Sequence, residues 1–229
     1  KKLNPEDVPE ELLSLTDNFG TSVLNLCIGR FREPVVNKEG KIVPRALFLV
    51  SESGHKLPLH FRYIKEIIAI ANEDGWTVAH VLAFHKLFPK EMMTEDILKL
   101  QDNTGCPVAY FAAWQNSFPE WARRRKDILL LGNGQGNYVA HVLAGYGVLP
   151  SEMMTEDILK LKNKDGCTVA YSLAKCNLLP DWAKRRKDIL LLGDGQDDYV
   201  VHLLAQKGKL PVEMMTPDIL QLKNKNKMT

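Results

Sequence analysis

Residues 136–150 read GNYVAHVLAGYGVLP, and the chain repeats this phrase, slightly altered, at a fixed interval. Upstream stand DGWTVAHVLAFHKLFP, ending at Pro89, and TGCPVAYFAAWQNSFP, ending at Pro119. Downstream stand DGCTVAYSLAKCNLLP, ending at Pro180, and DDYVVHLLAQKGKLP, ending at Pro211. These prolines are spaced alternately by 30 and 31 residues. A constant period of this size marks a stack of small structural units, each too short to bury a core alone.

From Gly75 onward each unit has three parts. A polar turn (EDG, NTG, GQG, KDG, GQD) breaks the chain with residues that tolerate tight backbone conformations. An inner helix follows, with alanines four residues apart: Ala79 and Ala83, Ala109 and Ala113, Ala140 and Ala144, Ala170 and Ala174. One helix face therefore lacks bulk and can approach the neighbouring unit closely. Proline then opens a second helix, where a missing N–H costs nothing. That helix closes on Asp-Ile-Leu at Asp96, Asp127, Asp157, Asp188 and Asp218. Thr94, Thr155 and Thr216 stand where an N-cap belongs. Helices of two or three turns are marginal alone, so stacking must hold them.

A turn, TVAH, a Leu-Ala step, an LP or FP exit and a second short helix resemble the ankyrin repeat, whose inner helix opens with Thr-Pro-Leu-His. Thr77 and His80 match its Thr and His, and the similarity spans nearly the whole chain. The period is two or three residues short of the family's 33 or so. Val78 replaces the Pro, and Tyr110 and Tyr171 replace the His in alternate units. The resemblance implies an all-α, ankyrin-like solenoid of stacked helix pairs. It also implies that the histidine bonds within its own turn and to the next repeat, a place where tyrosine can supply a hydroxyl.

A second period of 61 residues overlies the first. Units with His80, His141 and His202 precede acidic outer helices, EMMTED or EMMTPD, whereas units with Tyr110 and Tyr171 precede basic ones, EWARRRKD and DWAKRRKD. Acidic and basic outer helices are expected to alternate along the stack.

The chain is read as one repeat domain, 1–229. Residues 1–34 form a first repeat, since Leu13, Leu15, Asp17, Asn18, Gly20, Val23 and Pro34 fall on Leu98, Leu100, Asp102, Asn103, Gly105, Val108 and Pro119 after a shift of 85. Residues 35–74 are a degenerate repeat, with a turn at NKEGK, an inner helix at 46–50 and a stop at Leu57 and Pro58. Residues 75–229 are regular repeats, the last truncated.

Composition excludes little by itself: the 229 residues are 45% hydrophobic and 25% charged, with a net charge of +2. No overall charge steers the chain to nucleic acid or membrane, no apolar run approaches the roughly 20 residues of a spanning helix, and no signal-peptide pattern opens it. Two of the four cysteines, Cys106 and Cys167, recur two repeats apart, about 20 Å at a helix diameter per repeat. A disulfide needs Cα atoms within about 7 Å, so these two do not pair, and a reducing compartment is expected: a cytoplasm, the cell's own or a host's.

The same distance keeps His80, His141 and His202 from sharing a metal ion. GNGQGN at Gly132 lacks the Lys-Ser or Lys-Thr of a phosphate loop. In GDGQDD, Tyr199 and Ala205 occupy the Gly and Glu positions of a calcium loop. No catalytic residue, metal or cofactor is expected. The methionine pairs, such as Met92 and Met93, read as adaptable packing.

Recognition then falls to positions that differ between units. After the inner-helix alanine stand Phe84, Trp114, Gly145, Lys175 and Gln206; next come His85, Gln115, Tyr146, Cys176 and Lys207; after the turn glycine come Trp76, Cys106, Asn137, Cys167 and Asp198. Large aromatics here exceed what a scaffold needs, and such residues are enriched where partners bind. The expected function is a monomeric, non-enzymatic scaffold that binds another protein. Trp76, Phe84, Trp114 and Tyr146 are the anchors, with His85, Gln115 and Lys175 beside them. Two alternatives stand: a charge-driven binder of nucleic acid or an acidic protein through Arg123, Arg124, Arg125, Lys184, Arg185 and Arg186, or the repeat region of a larger enzyme.

Overall fold

The computed structural model describes residues 35–36, 42–43, 68–69, 71 and 74–224. The expected first repeat at 1–34, the inner helix at 46–50 and the stop at Leu57 and Pro58 lie outside the described residues. Two compact units divide the chain, Lys1–Ser117 and Phe118–Thr229.

In the first unit, β1 (Val35–Val36) and β2 (Ile42–Val43) pair antiparallel on either side of the NKEGK stretch. Inner helix α1 (Val78–Phe84) follows a turn; a 3₁₀ turn at Lys90–Met92 and the short α2 (Glu95–Leu98) complete its repeat. The next inner helix, α3 (Val108–Trp114), packs against α1 and α2.

The second unit opens with a 3₁₀ turn at Glu120–Arg124 and α4 (Lys126–Leu129). Three repeats follow. The first comprises α5 (Val139–Gly145), a 3₁₀ turn at Ser151–Met153 and α6 (Glu156–Leu159). The second comprises α7 (Val169–Lys175), α8 (Asp181–Lys184) and α9 (Lys187–Leu190). The third comprises α10 (Val200–Gln206), a 3₁₀ turn at Val212–Met214 and α11 (Pro217–Leu220). Helices α5, α7 and α10 lie side by side in that order, and each of α4, α6 and α9 also packs on the inner helix that follows it.

The paired alanines explain how these helices approach: Ala79, Ala83, Ala109, Ala113, Ala140, Ala144, Ala170 and Ala174 are all fully buried. An Ile-Leu pair is buried in each of four repeats as well: Ile97–Leu98 in the first unit, and Ile128–Leu129, Ile158–Leu159 and Ile189–Leu190 in the second. Each such side chain contributes roughly 1.5–3 kcal/mol on leaving water.

Every described inner helix ends alike. Residues Lys86, Asn116, Gly147, Asn177 and Gly208 take positive φ. The amide after each reaches back five residues, as Leu87 N–H does to the Leu82 carbonyl at 2.8 Å and Lys209 N–H to Leu204 at 2.8 Å. This reversal satisfies the last carbonyls and turns the chain towards the outer segment.

The turns are built on one side chain. Asp102, Asn133, Asn163 and Asp194 occupy equivalent positions, and the Oδ1 of each accepts a backbone N–H four residues on: Cys106 at 2.9 Å, Asn137 at 2.9 Å, Cys167 at 2.8 Å and Asp198 at 3.2 Å. Adjacent turns also join through the backbone, Asn103 N–H to Asp74 in the first unit and Lys164 N–H to Gln135 in the second.

The outer segment departs from expectation. It is not one helix of two or three turns but two single turns separated by extended backbone, at Thr94 (φ −76°, ψ 166°) or Arg125 (φ −107°, ψ 105°). The prolines sit one residue earlier than expected, at the N-cap, where the Pro89 and Pro119 carbonyls accept from Met92 and Ala122. Thr94, Thr155 and Thr216 are N-caps by position, yet the hydroxyls of Thr155 and Thr216 donate to Asp157 and Asp218 rather than accept from the backbone. A carboxylate two residues on is the stronger acceptor for a hydroxyl proton.

Candidate functional site

The expected histidine role is realised in three repeats. His80 is fully buried; its Nδ1 accepts the Thr77 N–H at 3.0 Å and its Nε2 donates to the Cys106 carbonyl of the next repeat at 3.1 Å. His141 repeats this geometry, accepting from Tyr138 N–H at 3.2 Å and donating to the Cys167 carbonyl at 3.1 Å. The partners fix the tautomer, because a carbonyl only accepts and a backbone N–H only donates. Burial holds both imidazoles below their ordinary pKa of 6.5. His202 accepts from Tyr199 N–H and its Nε2 lies 3.3 Å from the Leu222 carbonyl. In the alternate position Tyr171 reaches across as well, its hydroxyl donating to Asp198 at 2.8 Å.

The positions proposed for recognition fall on both units. In the first, Trp76, Phe84, Phe111 and Trp114 form a continuous aromatic cluster over α1 and α3. Trp76 lies 5.0 Å from Phe111 and 6.0 Å from Phe84, and Phe84 lies 6.1 Å from Trp114, in tilted or edge-on contacts. His85 packs edge-on against Phe84 at 5.1 Å. Phe111 is buried, Trp76, Phe84 and Gln115 are half-buried, and Trp114 keeps 49% of its surface exposed. The base of the cluster is packing between repeats, and its Trp114 edge faces solvent. In the second unit Tyr146 is 50% exposed, and Lys175 and Cys176 are exposed at the same helix end.

The basic outer segments are occupied by acidic neighbours. In the second unit Arg124 pairs with Glu152 at 2.8 Å and Lys126 with Asp157; Arg185 pairs with Glu213 at 3.0 Å and Lys187 with Asp218. In the other direction, Glu156 meets Arg186 at 3.0 Å and Lys160 meets Asp188 at 2.7 Å. Lys126 and Lys187 draw the carboxyls of Asp157 and Asp218 down to about 2. Arg125 bonds Asp127, Lys184 bonds Asp181, and Arg123 meets Glu120 at 3.1 Å while its Nε is buried without a partner. The expected alternation of acidic and basic segments is therefore a ladder of cross-repeat ion pairs.

Sequence reasoning passed over Trp121 and Trp182, which the outer segments leave 41% and 42% exposed. Their 61-residue spacing was the available signal, but the adjoining Arg and Lys residues drew the reading to charge. Cys106 is buried, with its thiol pushed up to about 12 by burial, and Cys167 is half-buried and also raised by burial. Among the described residues no group of His, Cys, Asp and Glu is placed to hold a metal, and no helix is long and apolar enough to cross a membrane.

No family model matches the chain, and no curated protein matches it. Among solved structures, it is similar to the ankyrin repeat domain of Bcl-3, a member of the IkappaB family, at 15% identity over 81% of this chain and 84% of that one, with a TM-score of 0.44. It is similar to the ankyrin repeat protein EF0377 at 16% identity, covering 72% and 92%, with a TM-score of 0.45. A chain in the complex of the predatory endopeptidase Bd0816 from Bdellovibrio bacteriovorus with immunity protein Bd3460 matches at 16% identity, covering 85% of each, with a TM-score of 0.34. By the geometry of its own described repeats, a polar turn, a histidine-latched inner helix and a short outer segment stacked on the next, the chain has an ankyrin-like, all-α helical-repeat fold.

Proposed function

We propose that the chain is a non-enzymatic scaffold that binds a partner protein through inner-helix and turn residues. The observation that carries this reading is the Trp76–Phe84–Phe111–Trp114 cluster, which is buried at its base and half-exposed at Trp114. A partner docking on preordered aromatics forfeits little side-chain entropy, so most of the burial appears as affinity. Trp114 and Tyr146 are the anchors of the two units, with His85, Gln115 and Lys175 as polar selectors. The charge-driven alternative asks cations already paired to neighbouring carboxylates to exchange partners, which weakens it.

The test is affinity capture with the wild type beside a Trp114→Ala, Tyr146→Ala variant, both shown to be folded by circular dichroism. Captured proteins are identified by mass spectrometry and their affinities measured with purified components. Loss of a discrete, stoichiometric partner in the variant supports the reading. Equal capture by both, abolished by moderate salt, overturns it and moves recognition to Arg123–Arg125 and Lys184–Arg186.

A further inference from the structure

The junctions between repeats alternate in chemistry. Two of them close through a histidine that must be neutral: Nδ1 of His80 receives the Thr77 N–H and Nδ1 of His141 receives the Tyr138 N–H, while each Nε2 spends its proton on the next repeat's cysteine carbonyl. A second proton can enter only at Nδ1, which already faces a backbone N–H in both rings; at His80 the Thr77 hydroxyl oxygen also lies 2.8 Å from it. The junction after α7 is different. It closes through the Tyr171 hydroxyl on Asp198, and Thr168 N–H adds a bond to the Gly193 carbonyl at 3.0 Å. Phenols and carboxylates do not ordinarily change charge between pH 5.5 and pH 7.5 or so.

We propose that the His80 and His141 junctions are acid-labile joints, set in alternation with a Tyr171 junction that acid does not open. Below about pH 6 the stack loosens at the His80 and His141 joints rather than uniformly.

The surroundings of each ring support this. Against His80 pack Trp76, Phe111, the Cys106 segment and one charged group, Asp102. Asp102 favours protonation, but its Oδ1 is already taken by the N–H groups of Thr104 and Cys106 and by the Thr104 hydroxyl. Against His141 lie Tyr138, stacked at 5.6 Å, and the Cys167 carbonyl, and uncharged Asn163 stands where Asp102 does in the first joint. His202 differs from both in its setting, with Asp198 Oδ1 3.2 Å from its Nδ1.

The sign follows from linkage. The closed joints hold His80 and His141 below 6.5, and an opened joint returns the ring to that value. The open state therefore binds more protons. Closure is complete above the unfolded value and is lost as pH falls towards the folded one. Lowering pH from about 7.5 to about 5.5 multiplies the open population of each such joint about tenfold.

The test is hydrogen–deuterium exchange of the full chain at pH 7.5 and pH 5.5, corrected for the intrinsic pH dependence of exchange. Expected is an increase of about tenfold in opening for peptides over residues 78–84, 103–108, 139–145 and 163–168, with little change over 169–175 and 194–199. Equal increases in both classes, or none in either, overturn the proposal. His141→Gln provides a second readout, because its amide can donate to Cys167 and accept from Tyr138 without titrating. Loss of the acid response at residues 163–168 in that variant supports the proposal, and an unchanged response refutes it. Should the variant fail to fold, the comparison of the two classes of joint in the wild type decides.

Discussion

Gly195 sits at the closest approach between two turns of the second unit, and replacing it with alanine tests how tightly the repeats are stacked. Its φ is +81°, and a Cβ there would lie 1.8 Å from the Asp165 carbonyl oxygen and 2.9 Å from Gly166 Cα. Two costs add. An L-residue in left-handed backbone loses about 1–2 kcal/mol. The turns must also part by over 1 Å, which breaks the bonds from Thr168 N–H and Thr168 Oγ to the Gly193 carbonyl at 3.0 and 3.2 Å. At about 1 kcal/mol each, the total loss is about 3–4 kcal/mol. Gly208→Ala is the internal control, since its φ is +62° and its Cβ would meet nothing within 4 Å. It should lose only the backbone contribution. The assay is urea denaturation followed by far-ultraviolet circular dichroism on both variants and the wild type. A Gly195→Ala loss within about 0.5 kcal/mol of the Gly208→Ala loss would refute the argument from close approach.

Lys86 closes α1 at φ 59°, where two other repeats use glycine; Lys86→Gly should raise stability by about 0.5–1 kcal/mol in the same denaturation assay. Tyr171→Phe removes the hydroxyl that donates to Asp198 and should cost about 1 kcal/mol, with faster amide exchange confined to residues 194–199. Arg185→Glu should lower the melting temperature more at low salt than at high salt, because it opposes Glu213 with a like charge; adding Glu213→Arg should restore the wild-type value, and no recovery in the double variant would remove this pair from the ladder.

Much of this fold was legible because its determinants are local and repeated. The alanine pairs, the Asp-Ile-Leu motif and the Asp or Asn of each turn recur at one register, and each does in the structure what its chemistry allows. The outer segment was misread because a two-turn helix and two single turns joined by an extended residue place Met93, Ile97 and Leu98 towards the core alike. Hydrophobic spacing does not separate them. The destination of the Thr155 and Thr216 hydroxyls was equally hidden, since the competing acceptors Asp157 and Asp218 lie in the same turn. For the candidate site, pattern located the variable positions but not their depth: Trp76 and Trp114 stand at two such positions, and only the neighbouring rings make the first half-buried and the second an exposed edge.

The doubled period has a physical use that stability alone does not explain. In the second unit the apolar faces are nearly interchangeable, an Ile-Leu pair beneath an Ala-Ala face in successive repeats, so burial barely distinguishes one neighbour from the next. The outer charges do distinguish them. Arg124 and Lys126 meet Glu152 and Asp157, Glu156 and Lys160 meet Arg186 and Asp188, and Arg185 and Lys187 meet Glu213 and Asp218. Exposed pairs of this kind add little stability, but a slip by one repeat would set acidic against acidic and basic against basic, which is penalised. Alternating charge therefore encodes neighbour parity where packing cannot. Residues that follow the 61-residue alternation, including His and Tyr at the joints, are accounted for by register and stacking. Phe84, Trp114, Gly145, Lys175 and Gln206, at one helix end, follow neither period, and it is on such positions that selection for a partner can act.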